Sequence, residues 1–344
     1  VFYFSFLPLY FDSLILSNLI TGWEYDAELG LVEQFSDRSK QFGLNKKLSE
    51  KVIRAIANNW QNDPAIFTWL EACLRFDEQS FVPIFAVTVI AENWQNNPYT
   101  LTLLQKLAQS NDHELVRRTA VEQLTQGWHE HPKTLPVIQQ LAQFDNKRSV
   151  RKTAVEQLAQ RWHEHPKTLP IIQQLAQSDD EESVRKTAVE QLAQRWHEHP
   201  KTLPVIQQLA QSDDDYSVRS MVIAQLAQGW HEHPETLSLI QQRAQSDNNE
   251  DVRSTAIEQL AQGWHEYPET LQLLIKYAVN DPYIRRYDFE TNPRQTALEG
   301  IAKYYPNHPQ TKDLLLDRLN NDPDEKVREF AQQALEELSQ SRLS

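Results

Sequence analysis

Apolar residues in the middle of the chain follow two alternating spacings. Val116, Ala120, Leu124 and Trp128 fall four apart and make one stripe of a helix. Leu135, Ile138, Leu141 and Ala142 fit a second helix whose apolar face can meet the first. The pair then recurs. Trp60, Trp94, Trp128, Trp162, Trp196, Trp230 and Trp264 stand 34 residues apart, each followed four positions later by Pro64, Pro98, Pro132, Pro166, Pro200, Pro234 or Pro268. A period of that size predicts a solenoid, because neither helix can bury its stripe except by stacking on its neighbours.

Two kinds of turn separate the helices. His-Pro-Lys-Thr opens the first helix of a pair, with proline where the amide would lack a partner. The acidic run ahead of Val184 opens the second, with Asp180 as its expected cap and acids in its first turn. Ser49 and Pro83 stand where later units have arginine, so residues 23–110 read as divergent repeats and 111–280 as regular ones. Asp281 and Arg294 lie 13 positions apart where other units have six, which puts an insertion at 281–292, in the turn before a second helix. Those extra residues should loop out without breaking the stack. Residues 293–344 hold a last repeat, with Tyr305 and Pro309 in place of Trp and Pro, and a cap. The cap helix, from about Asp324 to Leu338, carries Glu329, Gln332, Gln333, Glu336 and Glu337 as the polar face a terminal unit needs.

At the front, Val1–Phe11 is apolar, but Pro8, Asp12, Ser13, Ser17 and Asn18 interrupt it before a span of about 20 apolar residues accumulates. It also lacks the basic start of a signal peptide. Leu19-Ile20-Thr21-Gly22-Trp23 parallels Leu124-Thr125-Gln126-Gly127-Trp128, so residues 1–22 are expected to be a truncated repeat helix and no membrane association is expected. The first residue is valine and Met221 is the single methionine, which suits a piece of a longer reading frame.

Composition narrows the function. A net charge of -14 with a pI near 5.3 argues against nucleic acid, whose binders show a basic face. One cysteine, Cys73, fits a cytoplasmic protein better than a secreted one. None of the seven glycines sits in a phosphate loop or dinucleotide fingerprint, and no cofactor is expected. Oligomeric state has no signature here.

Asp-x-x-x-x-Val-Arg recurs at Asp145/Val150/Arg151, Asp179/Val184/Arg185, Asp213/Val218/Arg219, Asp247/Val252/Arg253 and Asp322/Val327/Arg328. It resembles the signature of HEAT repeats, helical pairs of the armadillo-like superfamily, over roughly residues 50 to 338. The resemblance implies an all-α, right-handed α-solenoid of about eight helical hairpins. It also implies that the helix after the Asp turn lines a concave face, and that aspartates and arginines form a ladder between repeats. Arg294 has Asp288 six before it, and Arg117 has Asn111 there with Asp112 adjacent. The wording Ala-Val-Glu-Gln-Leu-Ala-Gln-x-Trp-His-x-x-Pro-x-Thr-Leu is also similar to repeats C-terminal to NACHT-type STAND NTPases, particularly in cyanobacteria. That likeness implies a sensor or scaffold that docks a partner.

Candidate chemistry is sparse. Trp128, Trp162, Trp196, Trp230 and Trp264 read as aromatics closing each second helix against the next repeat. The arginines read as paired with the aspartates. His129/His131, His163/His165, His197/His199 and His231/His233 form His-Glu-His turns, and zinc at His163, His165, His197 and His199 is the alternative to a solvated turn. Neighbouring turns would lie about 8 to 10 Å apart, too far to share one ion. Each turn precedes a helix start, so the imidazoles are expected to have lowered pKa values. A second alternative is a bilin-lyase-like HEAT protein, with Cys73 as its only reactive group. The main expectation is a non-enzymatic scaffold or sensor that binds another protein. Its partner-facing residues would be Lys152, Glu156, Gln160, Lys186, Glu190 and Gln194 on the second helices. Tyr216 and the insertion's Tyr283, Tyr287 and Phe289 would add aromatics at a charged edge.

Overall fold

The computed structural model describes residues 46–59, 61–75, 81–110 and 112–340. The expectations for residues 1–22, for Trp60 and for Asn111 fall outside these. The described residues form helices without strands, an all-α solenoid. Two compact units divide the chain, Val1–His163 and Glu164–Ser344. In the first, α1 (Lys46–Asn59) precedes three hairpins: α2 (Pro64–Cys73) with α3 (Val82–Asn93), α4 (Pro98–Ser110) with α5 (Glu114–Gly127), and α6 (Thr134–Phe144) with α7 (Arg148–Arg161). In the second there are five: α8 (Thr168–Ser178) with α9 (Glu182–Arg195), α10 (Thr202–Ser212) with α11 (Tyr216–Gly229), α12 (Pro234–Ser246) with α13 (Glu250–Gly263), α14 (Thr270–Asn280) with α15 (Pro293–Tyr304), and α16 (Pro309–Asn321) with α17 (Glu325–Gln340).

The predicted stripes are the core. Val116, Ala120 and Leu124 on α5, and Val150, Ala154 and Leu158 on α7, are sealed from solvent and meet Ile138, Leu141 and Ala142 of α6. Val184, Ala188 and Leu192 of α9 repeat this in the second unit. Each such aliphatic side chain contributes about 1.5–3 kcal/mol by leaving water. Within each unit the helices after the Asp turn stack directly on one another, α3 on α5 on α7 and α11 on α13 on α15. At Gly300 of α15 the approach is close: an added Cβ would lie 2.7 Å from the Ala261 Cβ of α13.

The turns depart from expectation in two ways. Pro64, Pro98, Pro234 and Pro309 are the first residues of α2, α4, α12 and α16, but α6, α8, α10 and α14 begin two residues after the proline, at threonine. The cap of α9 is Glu181 rather than Asp180. Asp179 is the acid that holds this turn: it is buried and accepts the Glu181 N–H at 3.0 Å, whereas Asp180 faces solvent. The 281–292 insertion leaves α13 and α15 packed together, and α17 exposes all five polar residues expected on its outer face.

Candidate functional site

A ladder of arginines and aspartates runs along the Asp turns. Arg117, Arg185, Arg219, Arg253 and Arg294 reach forward to the aspartate of the following repeat. Arg117 donates through Nε and Nη2 to Asp145 at 2.9 Å each, Arg185 to Asp213 at 2.8 Å each, and Arg219 to Asp247 at 3.0 and 2.9 Å. Arg253 pairs with Asp281 and Arg294 with Asp322 in the same two-point way. The third nitrogen, Nη1, turns back to its own repeat: Arg151 donates to the Asp145 carbonyl, Arg185 to Asp179, Arg219 to Asp213, Arg253 to Asp247 and Arg328 to Asp322. The acid six positions before therefore contributes its carbonyl, and the carboxylate comes from the next unit. Arg294 corrects the sequence reading, since its Nη1 meets the Asp281 and Tyr283 carbonyls rather than Asp288. The inserted residues displace Asp288 outward, so the structurally equivalent turn residue is Asp281. These two-point charge-assisted pairs satisfy fixed guanidinium and carboxylate geometry and leave no charge free for an anion.

The tryptophans cap the second helices. Trp128 and Trp230 are half-buried, Trp196 is 9 % exposed and Trp264 is 1 % exposed. In the second unit Trp230 and Trp264 receive a histidine from the preceding repeat. His197 stacks on Trp230 and His231 on Trp264, each at 4.3 Å between ring centres.

The two histidines of a His-Glu-His turn have different partners. The second holds the turn ahead of the next helix: the Nδ1 atoms of His131, His165 and His199 accept the N–H of Lys133, Lys167 and Lys201, the residues just before α6, α8 and α10, while His233 is itself the cap of α12 and accepts the Glu235 N–H. The first reaches into the next repeat. His197 Nε2 lies 2.6 Å from the Gly229 carbonyl with Nδ1 2.7 Å from Glu198, and His231 repeats this with Gly263 and Glu232. Both nitrogens face acceptors, so imidazolium is the form that fills both contacts. The pKa values of His197 and His231 are accordingly raised, by Glu198 and then the Gly229 carbonyl in one case, by the Gly263 carbonyl and then Glu232 in the other. The expected lowering is wrong for these two. They sit at the C-terminal carbonyls of α11 and α13, the negative end of a helix dipole, instead of the amide end of the helix that follows them. Gly229 and Gly263 permit the approach: a Cβ there would meet the imidazole at 3.2 and 3.3 Å. His129, opposite Arg161 in the next unit, instead faces Glu130 at 3.9 Å.

The imidazoles of a turn are thus divided between a carbonyl and an amide. Among the described residues no group of three His, Cys, Asp or Glu is placed to hold a metal ion. Cys73 is fully buried, and burial pushes its thiol far above the usual range, away from the reactive thiolate. No described helix is long and apolar enough to cross a membrane.

Lys152, Glu156 and Lys186 are half-buried, and Gln160, Glu190 and Gln194 are exposed on α7 and α9. Tyr216 is exposed at the start of α11, and Tyr287 and Phe289 at the tip of the insertion. The sequence reading missed what holds that insertion. Arg285, Asn292 and Asp324 lock it to the cap of α17, with Arg285 Nη1 and Asn292 Nδ2 donating to the Asp324 carboxylate at 2.8 and 2.9 Å. It also missed the histidine clasps, for which the signal was the scarce Gly229 and Gly263 in a position held by Arg161 and Arg195 elsewhere.

The family model for HEAT repeats matches residues 67–159, 100–193, 134–227 and 203–292. No curated protein matches. Among solved structures the chain is similar to YibA of E. coli, with 16 % identity over 91 % of this chain and 99 % of that one and a TM-score of 0.46. It is also similar to Kap121p, solved bound to Pho4p, with 13 % identity over 88 % of this chain and a TM-score of 0.47. The chain spans 36 % of that Kap121p chain.

Proposed function

Because this chain belongs to the HEAT-repeat family, we propose that it is a protein-interaction scaffold or sensor with no catalysis of its own, working in the cytoplasm. The carrying observation is a division of labour among side chains: the ladder arginines and the His197 and His231 imidazoles are engaged within the stack. The arginines hold aspartates, His197 and His231 hold carbonyls in the second unit, and the second histidines accept backbone amides of the turns that lead into the next helices. The outward-facing side chains form a regular surface of alternating charge.

The docking surface in this reading is the row of helices that follow the Asp turns. Its support is that these helices pack more closely within each unit than the helices that open after proline do, and the closer row of a curved stack is its inner side. Within the first unit Lys152, Glu156 and Gln160 on α7 present mixed charge on that row, and within the second Lys186, Glu190 and Gln194 on α9 do the same, which suits recognition of a protein surface by each unit. The repeat wording adds a finer proposal, that the chain is part of or derived from a NACHT/STAND-type signalling protein. An in-frame P-loop NTPase in the adjoining DNA is expected, and its absence there would remove that part. The docking surface is tested by capturing partners with the chain and with Lys152→Glu/Lys186→Glu. The variant should lose them. Unchanged capture, together with loss on altering Gln174 and Gln208 of the opposite row, would place the surface elsewhere.

A further inference from the structure

The insertion carries an interaction surface of its own, resting on the scaffold reading. Phe289 is 84 % exposed, Tyr287 61 % and Ile284 65 %. The Tyr287 and Phe289 rings lie parallel, 2° apart in plane and 5.5 Å between centres. Untethered aromatics would fold inward, but this backbone is pinned on both sides. Arg285 donates to the Glu290 carbonyl, the Gln295 amide oxygen and Asp324, each at 2.8 Å. Glu290 accepts the N–H groups of Arg286 and Tyr287 at 2.6 and 3.2 Å and the Tyr283 hydroxyl at 2.5 Å. Asn292, 1 % exposed, ties the far end to Asp324. The rings are held out in water in one arrangement, so a partner meeting them loses little conformational freedom on their side.

The rim is acidic. Asp288 lies between the two rings in sequence and is exposed, Glu250 sits against Tyr283, Asp251 accepts from Thr291, and Glu325 opens α17. The local cations are Arg285, held by Asp324, Arg286, and Lys326, held by Glu329 at 2.9 Å with Asp288 and Glu325 near it. Open aromatic faces beside carboxylates complement a guanidinium, which stacks flat on a ring and pairs with an acid at its edge. We propose that the insertion docks an arginine-bearing segment of a partner protein, with guanidinium groups on the Tyr287 and Phe289 faces and flanking cations paired with Asp288, Glu250 and Glu325.

The test uses the full chain and Tyr287→Ala/Phe289→Ala. Labelled peptides of about ten residues, alternating glycine with arginine, lysine or glutamate, are titrated by fluorescence anisotropy beside a proline-rich peptide. The arginine peptide should bind best, and the variant should weaken it by about tenfold or more, as loss of desolvated cation–π contacts implies. Equal binding by the lysine peptide, preference for the proline-rich peptide, or unchanged affinity in the variant overturns the proposal. So does a concentration-dependent dimer that the substitutions abolish, since the occupant would then be a second copy. If the double variant melts early, Tyr287→Leu/Phe289→Leu keeps the apolar bulk without the ring faces, and the same loss is expected. Failure here leaves capture on the second-helix row unaffected, while loss of all capture with intact peptide binding would strike the scaffold reading alone.

Discussion

The first and second imidazoles of a His-Glu-His turn meet opposite ends of helices, and that decides which protonation state each favours. His199 accepts an amide at the start of α10, while His197 lies against the carbonyl that ends α11. The raised values at His197 and His231 give a signed expectation. Their stabilisation is complete below the unfolded value of about 6.5 and is lost as pH rises through the higher folded value. Urea midpoints at about pH 5.5 and 8.5 should differ more for the native chain than for His197→Gln/His231→Gln. Glutamine is the fair substitute because Gln61 and Gln95 make the same reach, to the Asn93 and Gly127 carbonyls, without titrating. An unchanged pH difference would remove the clasps as its source. The ladder gives a second residue-scale expectation. Arg219→Ala strands the buried Asp247 carboxylate and should cost about 3–5 kcal/mol, whereas a paired Arg219→Met/Asp247→Leu change should cost clearly less. Equal losses in denaturant melts would mean the charge pairing itself contributes little.

At the scale of elements, the second helices set the spacing of the stack. One tight point is Gly300 against Ala261, both on helix backbones that cannot swing aside. Gly300→Ala should raise helix propensity yet destabilise by about 1–3 kcal/mol through overpacking. A more stable variant in thermal melts would show that α15 can shift on α13 without loss. The insertion is the other lesson at this scale. Its position was plain from the lengthened Asp281 to Arg294 interval, but its order was not. That order comes from Arg285 and Asn292 reaching Asp324, an acid 39 positions beyond Arg285 that also caps α17 through the Lys326 and Val327 amides. Contacts of that separation leave no periodic trace in a sequence.

For the molecule as a whole, neighbour-only packing predicts that damage stays local. Trp264 is 1 % exposed and bears the His231 ring, so Trp264→Ala should cost about 3–5 kcal/mol. Hydrogen exchange should rise in α11, α13 and α15 and much less in α3 and α5. A uniform loss of protection from one end to the other would contradict a quasi-linear array.

The sequence by itself determined the helical pairs, their 34-residue period, the place of the insertion and the residues of the ladder, because each repeats and periodic burial leaves a periodic signature. Tertiary structure decided who pairs with whom. The sequence placed Asp213 six residues before Arg219, yet the carboxylate that Arg219 grips, Asp247, lies 28 residues ahead, across the interface between repeats. It placed histidines beside a helix start, yet His197 crosses to a helix end 32 residues on. When every unit carries the same residues, local spacing cannot tell a partner within the repeat from its copy in the next one. The stacking distance makes that choice.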